Sequence, residues 1–129
     1  MESSIVLAAD DPAALAAFYG GLLGRRPEQG LGAGHWRLPW TAGGWLEIYA
    51  PSRQRPQPRQ QGRLALCLQQ SAETAVAAKV QLTSLIAAAL ASGASLLEPM
   101  RQEPFGLEAW LLDPEGNRLL LLTTIKSPS

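Results

Sequence analysis

Residues 107–124 read LEAWLLDPEGNRLLLLTT, two apolar runs around Asp113-Pro114-Glu115-Gly116-Asn117. Aspartate suits the first position of a β-turn, proline the second and glycine the fourth. The stretch therefore predicts strands over 107–112 and 118–124 joined as a hairpin. Towards the N-terminus a further strand fits 94–98. Before it, Gly93 ends an alanine-rich helix from Ala72 to Ser92, with Leu82, Leu85, Ile86 and Ala89 spaced for one face. Ahead of that helix, residues 62–69 alternate. Leu64, Leu66 and Leu68 share one face of a strand, and Arg63, Ala65, Cys67 and Gln69 share the other. Part of the extra length of this half falls in residues 71–80, which extend the helix or form a flap.

The first half repeats the order. Residues 3–9 read as a strand. Asp11 caps a helix with Pro12 at its first position, Leu15, Phe18, Tyr19, Leu22 and Leu23 make its apolar face, and Gly24 stops it. Residues 25–34 read as a loop with at most a short strand. Strands over 35–40 and 44–50 follow, with Thr41-Ala42-Gly43-Gly44 between them. Residues 51–61, PSRQRPQPRQQ, hold three prolines, three arginines and no apolar side chain, as a solvated connector does. The expected organisation is one α+β domain over 1–129: module one 1–50, linker 51–61 and module two 62–125, each helix packed on one face of a sheet.

With 129 residues, 47% of them hydrophobic and 17% charged, the chain can bury a core. Eleven basic side chains balance eleven acidic ones, which argues against nucleic acid or an anionic membrane as the partner. Cys67 and His35 are the sole cysteine and histidine, so no cysteine-based zinc site can form. No apolar run is long enough for a membrane span, and the N-terminus MESSIVLAADD carries acids where a signal peptide has bases. A cytoplasmic protein with a small-molecule ligand is expected.

Together these motifs resemble the vicinal oxygen chelate superfamily of glyoxalase I, bleomycin resistance proteins and extradiol dioxygenases. The resemblance rests on Asp11-x6-Phe18-Tyr19 with Leu23-Gly24, then Gly93, Glu98-Pro99, Phe105-Gly106 and Asp113-Pro114-Glu115-Gly116-Asn117. It covers nearly the whole chain. It implies two βαβββ modules forming a cupped mixed sheet, with helices on the convex side, a ligand cavity inside and, commonly, a homodimer. In metal-dependent members, the first and last strands of each module supply four ligands. By offset from the motifs these positions fall here on Ser4, Glu47, Arg63 and Leu120.

A guanidinium has no free lone pair, and leucine has no donor atom. No metal and no cofactor are therefore expected, and the metal-dependent reactions of the superfamily are disfavoured. Parity with the four positions selects an inward set: Ser4, Val6 and Ala8; Trp45, Glu47 and Tyr49; Arg63, Ala65, Cys67 and Gln69; Arg118, Leu120 and Leu122. Among these, Glu47, Arg63, Arg118, Trp45, Tyr49, Gln69 and Leu120 are the candidate ligand-binding residues. Arg63 is expected to pair with Glu47, and Arg118 to add a positive charge for an anionic ligand stacked on Trp45 or Tyr49. Trp36 and Trp40 are assigned to core or dimer interface, Cys67 to an inert wall and His35 to a surface or rim position. The face of Trp110 stays open. The expected function is metal-free binding of a small anionic or aromatic molecule. The alternatives are a metal-independent isomerase or lyase with Glu47 as base, and a non-catalytic dimeric interaction module.

Overall fold

The last hairpin turns on a buried side chain. Asp113 is 3% exposed, and its Oδ1 accepts the backbone N–H groups of Glu115 and Asn117, each at 2.9 Å. Asn117 Nδ2 donates to Oδ2 at 2.9 Å, and Gly116 N–H closes the turn on the Asp113 carbonyl at 2.9 Å. The sequence motif is thus an aspartate-centred turn that satisfies its own donors.

The computed structural model describes residues 2–41, 43–53 and 64–126. The chain forms two compact units, Met1–Gln60 and Gln61–Ser129. In the first, β1 (Ser4–Ala8) leads to α1 (Pro12–Leu23), followed by β2 (Glu28–Gln29), β3 (His35–Pro39) and β4 (Trp45–Tyr49). The sheet order is β1-β4-β3-β2, with β1 parallel to β4 and the other pairs antiparallel. Asp11 caps α1 by accepting Ala14 N–H at 3.1 Å, and the helix stops at Gly24. Leu15, Ala16, Phe18 and Tyr19 are buried on its inner side, as are Leu38, Leu46 and Ile48 of the sheet. Burying each leucine or isoleucine contributes roughly 1.5–3 kcal/mol, so this side holds the unit together. Half-buried Trp40 lies edge-on to Tyr19 with ring centroids 6.3 Å apart, at the margin of this core.

The second unit runs β5 (Leu66–Ala72), α2 (Ala75–Ala91), β6 (Ser95–Glu103), β7 (Gly106–Leu112) and β8 (Arg118–Ile125), in sheet order β5-β8-β7-β6. Again the first strand is parallel to the last. Leu66, Leu68, Leu119, Leu121, Ala109 and Leu111 are buried, as are Ala78, Leu82 and Ala89 of α2. The molecule is thus α+β, two four-stranded mixed sheets, each with one helix and each a βαβββ module. Among the described residues no helix is long and apolar enough to cross a membrane.

Three boundaries differ from expectation. Residues 71 and 72 belong to β5, because Ser71 and Ala72 continue the ladder opposite Thr124 and Ile125. The helix then starts after Thr74, whose hydroxyl accepts Ala77 N–H at 3.1 Å, so residues 75–80 are its first turns and not a flap. The strand expected over 94–98 runs on to Glu103 through Pro99. It is an edge strand, and the register shifts on both sides of Glu98 absorb a residue that cannot donate. Leu64, expected on the helix face, precedes β5 and is 70% exposed. Most of the expected 51–61 linker, and Arg63, lie outside the described residues.

Candidate functional site

Strand alternation leaves each sheet one face away from its helix. In the first unit that face carries Ser4, Val6 and Ala8 of β1 and Trp45, Glu47 and Tyr49 of β4. The β3–β4 register adds His35 opposite Tyr49 and Arg37 opposite Glu47. Glu47 is the centre of this face. Its Oε1 lies 3.1 Å from His35 Nε2 and 3.2 Å from Arg37 Nε. The imidazole contact is a hydrogen bond, whereas the Arg37 N–H is not aimed at the oxygen, so that contact is an ion pair by distance. Arg37 also stacks on Trp45, with its guanidinium carbon 3.8 Å from the ring centroid.

The tautomer of His35 follows from its other nitrogen. Leu31 N–H donates to Nδ1 at 2.8 Å, so Nδ1 keeps its lone pair and the proton sits on Nε2, which donates to Glu47. Residues 29–35 are folded around this ring. Gly30 N–H donates to the His35 carbonyl at 2.7 Å, His35 N–H to the Gly32 carbonyl at 3.1 Å, and the Gln29 amide to the Gly32 carbonyl at 2.6 Å. The imidazole lies so close to Gly30 that a Cβ there would fall 2.5 Å from its Cγ and Nδ1. A glycine is required for this close approach. Ser4, Val6, Leu31, His35, Glu47 and Tyr49 line a cavity of about 300 Å³ on this face.

In the second unit the corresponding face carries Cys67 and Gln69 of β5, Arg118, Leu120 and Leu122 of β8, and Glu108 and Trp110 of β7. Leu120 lies in register between Cys67 and Trp110, which settles the face of Trp110. Gln69 and Arg118 are exposed, and Leu120 is half-buried. Glu108 accepts from Arg101 at 2.9 Å, and Arg101 also lies 3.3 Å from Glu103. Because the Arg101 side chain is largely exposed, this network is worth little in stability.

Partial burial, and then the Glu108 carboxylate, push the Cys67 thiol above its ordinary value. A raised thiol holds less thiolate at a given pH, and thiolate is the reacting form. Cys67 is exposed but is expected to alkylate with iodoacetamide more slowly at pH 8 than a free thiol. Removing the second cause in Glu108→Gln is expected to speed the reaction about two- to threefold. Mass-resolved labelling time courses of the two proteins measure both rates.

Of the candidate binding residues, the first unit brings Glu47 and Tyr49 to one cavity and turns Trp45 towards Arg37. The second unit sets Gln69, Leu120 and Arg118 on one face of its own sheet. Arg63, the expected partner of Glu47, lies outside the described residues, and Glu47 already has His35 and Arg37. Sequence reasoning missed Arg37 and placed His35 at a rim, although the hairpin register across residues 40–44 carries both to the Glu47 face.

The glyoxalase-like domain family model matches residues 4–122. The chain belongs to this family. Its fold is that of the vicinal oxygen chelate superfamily. A glyoxalase/bleomycin resistance protein/dioxygenase family enzyme from Burkholderia phytofirmans PsJN superposes with a TM-score of 0.72 at 22% identity, covering 95% of this chain and 98% of that one. A glyoxalase-related enzyme from Fulvimarina pelagi gives 0.74 at 21% identity, over 96% and 88% of the two chains. Lactoylglutathione lyase from Agrobacterium tumefaciens gives 0.59 at 19% identity, over 95% and 92%. These likenesses show the fold. No curated protein compared matches the chain.

Metal-dependent members of the superfamily hold a divalent ion, and the donor set described in this glyoxalase-like chain does not fit one. Leucine stands at position 120 and serine at position 4. Glu47 Oε1 is taken by the His35 hydrogen bond and the Arg37 ion pair, and the one free lone pair of His35 is taken by Leu31 N–H. Among the described residues no three His, Cys, Asp or Glu side chains converge as a metal-holding group.

Proposed function

We propose that this glyoxalase-like chain binds a small organic molecule, without a metal, on the open face of its first module. The observation that carries this reading is the cavity itself. Its one carboxylate is held by an imidazole of fixed tautomer and a stacked arginine, and its walls are Val6, Leu31 and Tyr49. A few placed polar groups among apolar and aromatic walls are the character of a small-molecule site. An aromatic ligand suits Tyr49. The expected anionic preference rests on Arg63, which lies outside the described residues, and on Arg118, which belongs to the second unit.

Native mass spectrometry of the purified protein tests the reading. A co-purified or saturable small molecule supports it, and the same spectrum tests the homodimer, which we propose as the assembly in the cytoplasm. Gly30→Ala drives a methyl into the His35 ring and is expected to abolish that binding while the protein stays folded. Unchanged binding in Gly30→Ala would separate the ligand from this cavity.

A second reading uses the same carboxylate as a general base, in a metal-independent isomerase or lyase. Glu47 Oε2 has no partner among the described residues, which leaves it able to take a proton. Turnover of the bound compound that is lost in Glu47→Gln would establish it. A protein with neither ligand nor turnover would be an interaction module.

A further inference from the structure

Among the described residues that line it, the cavity of the first unit has an acceptor and no spare cation. Both ring nitrogens of His35 are committed, one to Leu31 N–H and one to Glu47. Arg37 is not among the lining residues, and it is engaged by Glu47 Oε1 and the Trp45 ring. What faces a ligand is the remaining oxygen of Glu47, with Ser4, the Tyr49 side of the wall and the exposed apolar surface of Val6 and Leu31. A carboxylate oxygen can only accept. A second carboxylate brought against it would meet like charge, with no cation among the described lining residues to offset it.

We infer that this cavity selects a small, neutral hydrogen-bond donor on a flat apolar body, an amide or a hydroxyl compound, and rejects carboxylates. The inference rests on the binding reading above and gives it a ligand class. The donor N–H or O–H meets Glu47 Oε2, and the apolar body lies between Tyr49, Val6 and Leu31. About 300 Å³ admits one ring with one polar group.

Benzamide and benzoate have nearly the same shape and differ in charge and in the donor. Titration of each into the isotope-labelled protein, followed at the backbone amides of Leu31, Glu47 and Tyr49, reads both affinities. Benzamide is expected to bind at least about tenfold more tightly than benzoate, the scale of one hydrogen bond to a charged acceptor. In Glu47→Gln, which keeps the size and loses the charge, the ratio is expected to fall to about threefold or less. Benzoate binding as tightly as benzamide at these amides, or a ratio unchanged in Glu47→Gln, would overturn the donor preference and leave small-molecule binding standing. No shift with either probe would overturn both readings. The amide spectrum of each protein reports in the same titration whether it is folded.

Discussion

Replacing Gly106 with alanine lowers the unfolding midpoint by about 10 °C or more. Gly106 opens β7 with φ at 151°, a backbone conformation that residues with a Cβ rarely adopt. An added Cβ would also be driven into the Thr123 carbonyl oxygen of the neighbouring β8, well inside van der Waals contact, with Thr124 Cα 3.0 Å away. Neither obstacle is a flexible side chain. They belong to the ladder in which Gly106 pairs with Thr124, so relief requires the two strands to separate. A disfavoured dihedral and a backbone clash together cost about 3–5 kcal/mol, near the upper end for a single substitution. Thermal denaturation followed by circular dichroism measures it, and a midpoint within a few degrees of the parent would show that the strands have room to yield.

Asp113→Ala is expected to cost about 3 kcal/mol. The carboxylate is 3% exposed and accepts from Glu115 N–H, Asn117 N–H and the Asn117 amide. Alanine leaves these donors at a partly buried turn without their acceptor, and hydrogen bonds to a charged group are the stronger kind. Asp113→Asn keeps an oxygen in place of Oδ1 and is expected to lose only about 1 kcal/mol. Urea denaturation of the three proteins gives the comparison. Equal losses in the two variants would mean that the turn depends on the charge and not on the acceptor geometry.

Both residues belong to the motifs on which the family resemblance rests, and both act by shaping strands. This explains why so much of the fold is readable in the chain. Asp11-Pro12 starts a helix, Asp113 to Asn117 make a turn, and the alternation of Leu66 and Leu68 against Cys67 and Gln69 separates a helix side from an open side. The burial of Leu119 and Leu121 beside half-buried Leu120 and Leu122 follows the same parity. Boundaries were less legible where tertiary pairing decides them. Ala72 looks helical by composition, but its place opposite Ile125 makes it a strand residue. Pro99 looks like a strand end, but an edge position and a register shift accommodate it.

The candidate site was legible only in part, and for a related reason. The parity rule carries Glu47 and Tyr49 to the open face of β4, but it does not say what stands beside them. That depends on hairpin register. Arg37 and His35 reach Glu47 only because β3 pairs with β4 one-to-one from His35–Tyr49 to Pro39–Trp45. The fixed tautomer of His35 depends further on a single backbone N–H in the loop before β3, which no pattern of residue types announces.

The central claim is that Glu47 serves this fold as a hydrogen-bond acceptor held by His35 and Arg37, and not as a metal ligand. Elemental analysis of the protein, purified without chelator, exposed to zinc, manganese and iron(II) and then desalted, tests it most directly. The account predicts far less than one equivalent of any of these metals per chain. One tightly held equivalent, lost in Glu47→Gln, would contradict it and return the chain to the metal-dependent members of the superfamily.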